Sequence, residues 1–225
     1  MKYTVQTRPS YSLLETELQL GEELVAESGA MVYMTPSIKM QTSTRGGIMK
    51  GLKRMVLAGE SFFQNTYRAT DGPGVIGLAP GQPGDIVVRE LTNGELILER
   101  NAYMASTTGI VVDSSFQGLK GILNEGLFVL RCTGTGTLFF NAYGAVDEVE
   151  VNGSYIVDSG HAVAWEPTLQ WQLTRARRVR AFIFGDQLLL RFNGRGRLWV
   201  QSRNPQSLAN WVYPFRPVQR DNEHR

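Results

Sequence analysis

Cysteine, histidine and long apolar runs are scarce in this chain, and each scarcity removes a class of protein. The single cysteine, Cys132, cannot form an intramolecular disulfide. Only two histidines are present, whereas a zinc or iron site needs three or four suitable ligands. No apolar run approaches the roughly 20 residues that cross a bilayer as a helix. The opening MKYTVQTRPSYSLLE lacks the apolar core of a signal peptide. We therefore expect a cytoplasmic protein with no metal site and no cofactor.

Catalytic motifs are missing as well. DSGH at 158–161 places an acid, a serine and a histidine together, but neighbours on a strand point to opposite faces. No G-x-S-x-G elbow is present. The stretch GGIMKGLK at 46–53 lacks the Ser or Thr that follows the lysine of a phosphate-binding loop. We expect no catalytic residues and no enzymatic activity.

Three stretches of similar sequence are the main feature that the chain does contain. They are LGEELVAESGAMVYM at 20–34, TNGELILERNAYMAS at 92–106 and VNGSYIVDSGHAVAW at 151–165. Each opens on a glycine, at Gly21, Gly94 or Gly153, and two of these follow asparagine, which is a strong hairpin-turn signal. A Gly-x-Gly pair closes each unit, at 72–74, 134–136 and 194–196, and these pairs also predict hairpin tips.

The spacing of these signals predicts an all-β fold. It indicates a single domain over 1–216, made of three similar β repeats at approximately 1–80, 81–146 and 147–205, with a charged tail at 217–225. A β unit of this size cannot bury its apolar face alone, so we expect the three to share a core around a pseudo-threefold axis. Helix signals are few: a weak one at 48–60 and a short one at 205–214, bounded by Pro205 and Pro214.

The order of several short motifs resembles a known family. ESGAMVYM, GLKRMVLAGESFFQNTY, ERNAYMAS, VDSGHAVAW and QSRNP together are similar to the bacterial and archaeal branch of the altered-inheritance-of-mitochondria family, formerly described as a domain of unknown function. The resemblance implies a β-sandwich or prism of three repeats, arranged like subunits of the tryptophan RNA-binding attenuation protein. Fungal mitochondrial members are tied to inner-membrane organisation, but this chain shows no transit peptide, and the resemblance implies no catalytic residue set.

Three acidic residues fall at matching places in the three similar stretches: Glu27, Glu99 and Asp158. Around a threefold axis they would converge and bind a cation, with raised pKa values. The alternative is a turn or bulge in which each carboxylate accepts backbone N–H groups. We favour this structural interpretation.

Basic residues concentrate towards the C-terminal end. Residues 175–225 hold 11 Arg and 3 acidic residues, a local charge of +8, and the rest of the chain carries −6. A candidate anion patch lies along the last predicted strands and consists of Arg191, Arg195, Arg197 and Arg203. Arginines beside Phe192 and Trp199 would suit single-stranded nucleic acid, but strand alternation favours these aromatics as core residues. Nucleic-acid binding is therefore not expected.

A second basic stretch, RGGIMKGLKRMVL, mixes charge with apolar side chains. Its candidate contact residues are Arg45, Lys50, Leu52, Lys53 and Arg54. This combination suits an anionic membrane surface or a partner groove, and the alternative is a rim loop folded on its own body or an oligomer contact. We predict a homo-oligomeric, non-enzymatic scaffold that acts at a membrane surface or in a protein assembly. The alternative is a small-molecule, ion or RNA-binding protein with its site between the repeats.

Overall fold

Fifteen strands and one α-helix make up the part of the chain that the computed structural model describes, residues 1–43, 64–118, 126–175 and 188–216. The predicted all-β fold is confirmed. The elements are β1 (Lys2–Gln6), β2 (Leu13–Leu18), β3 (Glu23–Glu27), β4 (Met31–Met34), β5 (Ile38–Ser43), β6 (Gln64–Ala69), β7 (Gly74–Leu78), β8 (Ile86–Glu99), β9 (Tyr103–Thr107), β10 (Ile110–Gly118), β11 (Gly126–Asn141), β12 (Val146–Asp158), β13 (Ala162–Trp165), β14 (Gln170–Arg175), β15 (Leu188–Gln201) and α1 (Pro205–Val212), with short 3-10 turns at Arg100–Ala102 and Tyr213–Phe215.

Of the two helical stretches that the sequence predicts, one lies among the described residues. The short helix bounded by Pro205 and Pro214 is confirmed as α1. Asn204 caps it, because its side-chain oxygen accepts the backbone N–H of Gln206 at 2.8 Å. The weak helix signal at 48–60, the basic loop at 45–54 and the charged tail at 217–225 lie outside the described residues.

The strands form two antiparallel sheets. One has the order β1-β2-β7-β4, and the other runs β12-β15-β13-β8-β11-β9-β3-β6-β5, with β10 against β11 and β14 against β15. Alternation decides which face is buried: on β2, Leu14, Thr16 and Leu18 are buried while Glu17 is exposed. β4 and β12 each lie at the end of a sheet.

The prediction of hairpin turns at the two Asn-Gly pairs is wrong. β8 runs on through Gly94, and β12 runs on through Gly153. These glycines face Gly134 on β11 and Gly194 on β15, so the Gly-x-Gly pairs of the second and third segments are not hairpin tips either. Glycine inside a strand permits a bulge or a bend, and the β11 register shifts between Gly134 and Gly136.

One pairing register recurs in the three predicted segments, residues 1–80, 81–146 and 147–205. A short strand pairs with the end of a long strand in each, beginning with Met31–Leu78, Tyr103–Phe140 and Ala162–Val200. A one-residue register shift follows each of these pairs. The segments therefore share a pattern of strand pairing. Their arrangement about a threefold axis, like the resemblance to the attenuation protein, stays a prediction.

Neighbouring segments share their apolar cores. The second segment contributes four side chains to the core of the first: Ile86, Met104, Ala105 and Phe139. The third segment contributes three to the core of the second: Val163, Ala164 and Trp199. Strand pairing accompanies both exchanges, since β9 pairs with β3 and β13 pairs with β8.

The connections that precede β2, β8 and β12 also contact one another. The Ser12 N–H donates to the Gly84 carbonyl at 3.0 Å, and the Asp85 N–H donates to the Gly144 carbonyl at 3.0 Å. The Asp85 carboxylate is buried and accepts both the Arg8 guanidinium and the Ser12 hydroxyl, at 2.8–2.9 Å. These bonds tie the start of the first segment to the start of the second.

Candidate functional site

The three matching acids lie at the same kind of turn. The Glu99 carboxylate accepts the Asn101 N–H at 2.9 Å, and the Asp158 carboxylate accepts the Gly160 N–H, also at 2.9 Å. The acceptor and donor are two residues apart in both segments. After Glu27 the corresponding turn is closed by backbone atoms, with the Ala30 N–H donating to the Glu27 carbonyl at 3.2 Å. The carboxylates of Glu99 and Asp158 thus hold backbone turns in place.

Glu27 and Glu99 are electrostatically unusual. Burial raises the pKa of Glu27 to about 7, although the positive charge of Arg100 partly opposes this. Burial also raises the pKa of Glu99 to about 7; backbone N–H groups of Asn101 and Arg100 oppose the rise, and the negative charge of Glu27 adds to it. The first two acids therefore influence each other across the boundary between their segments.

The cation-binding alternative for the acids needs three converging ligands. Among the residues that the structure describes, no group of three or more His, Cys, Asp or Glu side chains is placed to hold a metal ion. Asp158 instead lies beside Asn204, whose side-chain nitrogen is 3.5 Å from its carboxylate. The structure brings Glu27 and Glu99 within electrostatic reach and leaves Asp158 in a different environment.

The raised pKa values predict a pH-dependent stability. The native protein binds more protons than the unfolded chain between the ordinary carboxyl pKa of 4.5 and the native value of about 7. We therefore expect the free energy of unfolding to fall by about 2–4 kcal/mol as pH rises through this interval. Urea denaturation at several pH values should show this fall, and Glu99→Gln should flatten it. Glu17→Gln, an exposed acid on β2, is the control, and an equally steep fall in Glu99→Gln would contradict the prediction.

A cleft between the second and third segments adjoins the acidic turns. Its volume is about 350 Å³, and its lining includes several polar side chains: Glu99, Asn141, Gln201, Asn204 and Gln206. The Asn141 side-chain carbonyl oxygen is buried there and has no hydrogen-bond partner among the described residues. Buried amide oxygens normally have a partner, so this cleft has an unused acceptor.

The candidate anion patch is divided. Arg191, Arg195 and Arg203 are exposed. Arg197 is held by two acids, with guanidinium-to-carboxylate distances of 2.6 Å to Glu166 and 3.7 Å to Glu148. Its charge is therefore largely offset within the chain.

The aromatic residues beside the arginines are internal. Phe192 and Trp199 are fully buried, as strand alternation predicts. They offer no face on which a nucleic-acid base can stack.

The cysteine and His161, whose side chains could be chemically reactive, are both held in structural surroundings. Cys132 is buried, and burial raises its pKa to about 12, so little thiolate exists at neutral pH. The His161 ring nitrogen Nδ1 is 2.8 Å from the Gln201 carbonyl oxygen, which fixes the ring to β15. Both side chains have structural surroundings.

An exposed apolar surface on α1 and the turn after it is a feature that the sequence did not lead us to expect. No residue of α1 is buried. Its apolar side chains and those of the following turn lie open to solvent: Leu208, Trp211, Val212, Tyr213 and Phe215. Four of these positions follow the i, i+3, i+4, i+7 spacing of one helix face, which is the signal that could have revealed them.

No helix in the described parts of the chain has both the length and the apolar character that spanning a membrane requires.

Comparison with known proteins covers almost the whole chain. An uncharacterized protein of Streptococcus pyogenes serotype M6 is 28% identical over 229 residues, covering 97% of this chain and 92% of that protein. The crystal structure of a Streptococcus pyogenes protein matches with a TM-score of 0.80 at 26% identity, covering 96% of this chain and 99% of the other. The sequence profile of the family described as mitochondrial biogenesis AIM24 matches residues 3–203, which include every strand from β2 to β15. The chain belongs to this mitochondrial biogenesis AIM24 family.

Proposed function

We propose that this protein is a non-enzymatic scaffold that docks on an anionic membrane surface through α1 and the turn after it. The observation that carries the proposal is the uncovered apolar face of Leu208, Trp211, Val212 and Phe215. An amphipathic helix is normally stabilised by packing this face against something else. Within the described residues, none of the helix is buried by the β domain.

The aromatic composition of this surface suits a membrane interface. Trp211 is 67% exposed and Phe215 is 73% exposed, and their ring centroids lie 5.6 Å apart. The Arg216 guanidinium lies 3.9 Å from the centroid of the Tyr213 ring. Tryptophan and tyrosine favour the headgroup level of a bilayer, where an apolar ring and a polar tip are both satisfied.

The charge around the helix favours an anionic surface. Residues 203–216 contain Arg203 and Arg216 and no acidic residue. Basic side chains near a negatively charged leaflet add attraction that salt weakens. The helix lies beyond residue 203, where the family match ends. The predicted contact loop at 45–54 lies outside the described residues and stays a separate prediction.

The membrane proposal predicts vesicle binding that depends on the aromatic pair. The protein should sediment with vesicles of phosphatidylcholine and phosphatidylserine, and less with phosphatidylcholine alone. Trp211→Ser with Phe215→Ser should weaken binding by about tenfold or more, because two large apolar side chains no longer leave water.

The matched control removes an exposed aromatic side chain elsewhere. Tyr11 is 75% exposed, and Tyr11→Ser should leave vesicle binding unchanged. Equal sedimentation of the double serine variant and the parent would contradict the proposal. If the parent fails to sediment and α1 instead crosslinks to a second protein, the helix face binds a partner groove.

A second candidate function is the binding of a small polar ligand between segments. The Asn141 oxygen in the amide-lined cleft favours it, because no described residue is its hydrogen-bond partner. Native mass spectrometry of gently purified protein should then show a stoichiometric extra mass that disappears on denaturation. Asn141→Leu should abolish that mass, and a parent protein with no extra mass would remove this candidate.

A further inference from the structure

Two junctions of the same construction occur inside this chain. In the first, β9 of the second segment pairs with β3 of the first, with Ser106 opposite Val25 and Ala105 opposite Ala26. In the second, β13 of the third segment pairs with β8 of the second, through Trp165 opposite Ile97 and Ala164 opposite Leu98. Counted from the matching acids Glu27, Glu99 and Asp158, the two junctions use corresponding residues.

Each junction also buries one large aromatic side chain in the core of the preceding segment. Phe139 lies beside Ala105 at the first junction, and Trp199 lies beside Ala164 at the second. Phe139 and Trp199 are fully buried in cores built mainly by the preceding segment. A junction therefore consists of a short strand, a small residue and an aromatic residue that enter from the following segment.

The first segment carries the same parts, and β4 pairs only with β7 among the described strands. On β4, Tyr33 lies opposite Gly77, which reverses the positions of the aromatic and the small residue. A Cβ on Gly77 would lie 2.5 Å from the Tyr33 ring, so a larger residue there would force the ring to move. Unlike Phe139 and Trp199, Tyr33 remains exposed.

The third segment carries the complementary half. Its strand β12 ends one sheet, and β4 ends the other. No strand pairing joins β4 to β12 within the described residues, although both strands are described in full. Val32, which corresponds to the buried Met104 and Val163, is 56% exposed, and Ile156 on β12 is 50% exposed.

We propose that β4 of one copy of this chain pairs with β12 of a second copy, forming a third junction of the same construction. The register of the internal junctions places Met34 opposite Ile156 and Tyr33 opposite Val157. The contact joins two different surfaces, so each copy uses both of its ends and the assembly grows head to tail until it closes. Antiparallel pairing satisfies two open sheet edges and covers their apolar side chains.

The occupant is a second copy because the chain itself supplies both halves of a repeated interface. The two internal junctions show that such strands and cores fit each other, and the unpaired ends have the corresponding residues. This inference depends on strand register and apolar burial alone, and it is independent of the membrane proposal.

A charged side chain introduced on β4 or on β12 tests the interface, and both positions are exposed in the single chain, so its fold should not be disturbed. Analytical ultracentrifugation of the parent should show a multimer of the 25.1 kDa chain. Val32→Lys and Ile156→Lys should each weaken association by about tenfold or more, because an ammonium group would be buried in an apolar contact. Val111→Lys is the matched control: Val111 lies on β10 and is 58% exposed, so this variant should assemble like the parent.

Cysteine pairs distinguish a second copy from closure within one chain. We expect a mixture of the Met34→Cys variant and the Ile156→Cys variant to form a disulfide-linked dimer under mild oxidation, because directly opposed strand residues approach closely. Met34→Cys mixed with Val111→Cys should not crosslink. The inference is overturned if the parent is monomeric, if the lysine variants assemble as the parent does, or if one chain carrying both cysteines forms only an intrachain bond.

Discussion

Replacing Trp199 with alanine is expected to lower the free energy of unfolding by about 3–5 kcal/mol. Trp199 belongs to β15 but is buried in the core of the second segment. Its ring meets Phe140 edge to face at a centroid distance of 5.9 Å, and the Arg89 guanidinium lies 5.2 Å from its centroid. The substitution leaves a cavity at the boundary between two segments and removes these ring contacts.

Urea denaturation followed by circular dichroism measures this loss, and a second tryptophan provides the control. Trp171 on β14 is partly buried and packs against Trp165 within the third segment, at a centroid distance of 5.2 Å. Trp171→Ala should cost less than Trp199→Ala, because Trp171 is only partly buried whereas Trp199 is fully buried. Equal losses in the two variants would argue against a special role for the shared core.

Replacing Gly84 with alanine should be similarly severe, with a loss of about 3 kcal/mol or more. A Cβ at this position would lie 1.7 Å from the Ala142 carbonyl oxygen. The Ala142 oxygen is a backbone atom and the Cβ is fixed by the backbone at residue 84, so no change of rotamer relieves the clash. The backbone shift that remains would also disturb the hydrogen bond from the Ser12 N–H to the Gly84 carbonyl.

Gly81 offers a control in the same connection. A Cβ on Gly81 meets no atom within 4 Å, so Gly81→Ala should change stability by less than about 0.5 kcal/mol. Thermal and urea denaturation of the two variants should separate them clearly. If Gly84→Ala were as stable as Gly81→Ala, the close approach of Gly84 to Ala142 would not exist in solution.

The fold class follows from the sequence, but the role of its glycines does not. The regular spacing of glycine signals in three similar stretches and the scarcity of helix signals correctly predict an all-β chain. Asn-Gly at 93–94 predicts a turn because local sequence reports only that positive φ is tolerated there. Gly94 faces Gly134 across two long strands, and this pairing brings together residues 40 positions apart. Local signals cannot distinguish such a bend from a hairpin tip.

The site residues show the same division between local and long-range causes. The matching positions of Glu99 and Asp158 predict a turn role, and the structure gives both carboxylates a backbone N–H. The raised pKa of Glu99 depends on burial and on Glu27, which only the folded chain brings near. Pro205 and Pro214 mark the helix, yet sequence alone cannot say whether that helix packs on its own domain.

The shared cores also set an order for folding during synthesis. The first segment leaves the ribosome first, but its core includes Phe139, which is translated long after residue 80. The second segment in turn awaits Trp199 near the end of the chain. The cores of the first and second segments therefore remain incomplete until the next segment has emerged. Neither segment reaches its full stability on its own during synthesis. Its last strands, rather than its first, commit the whole chain to the native state.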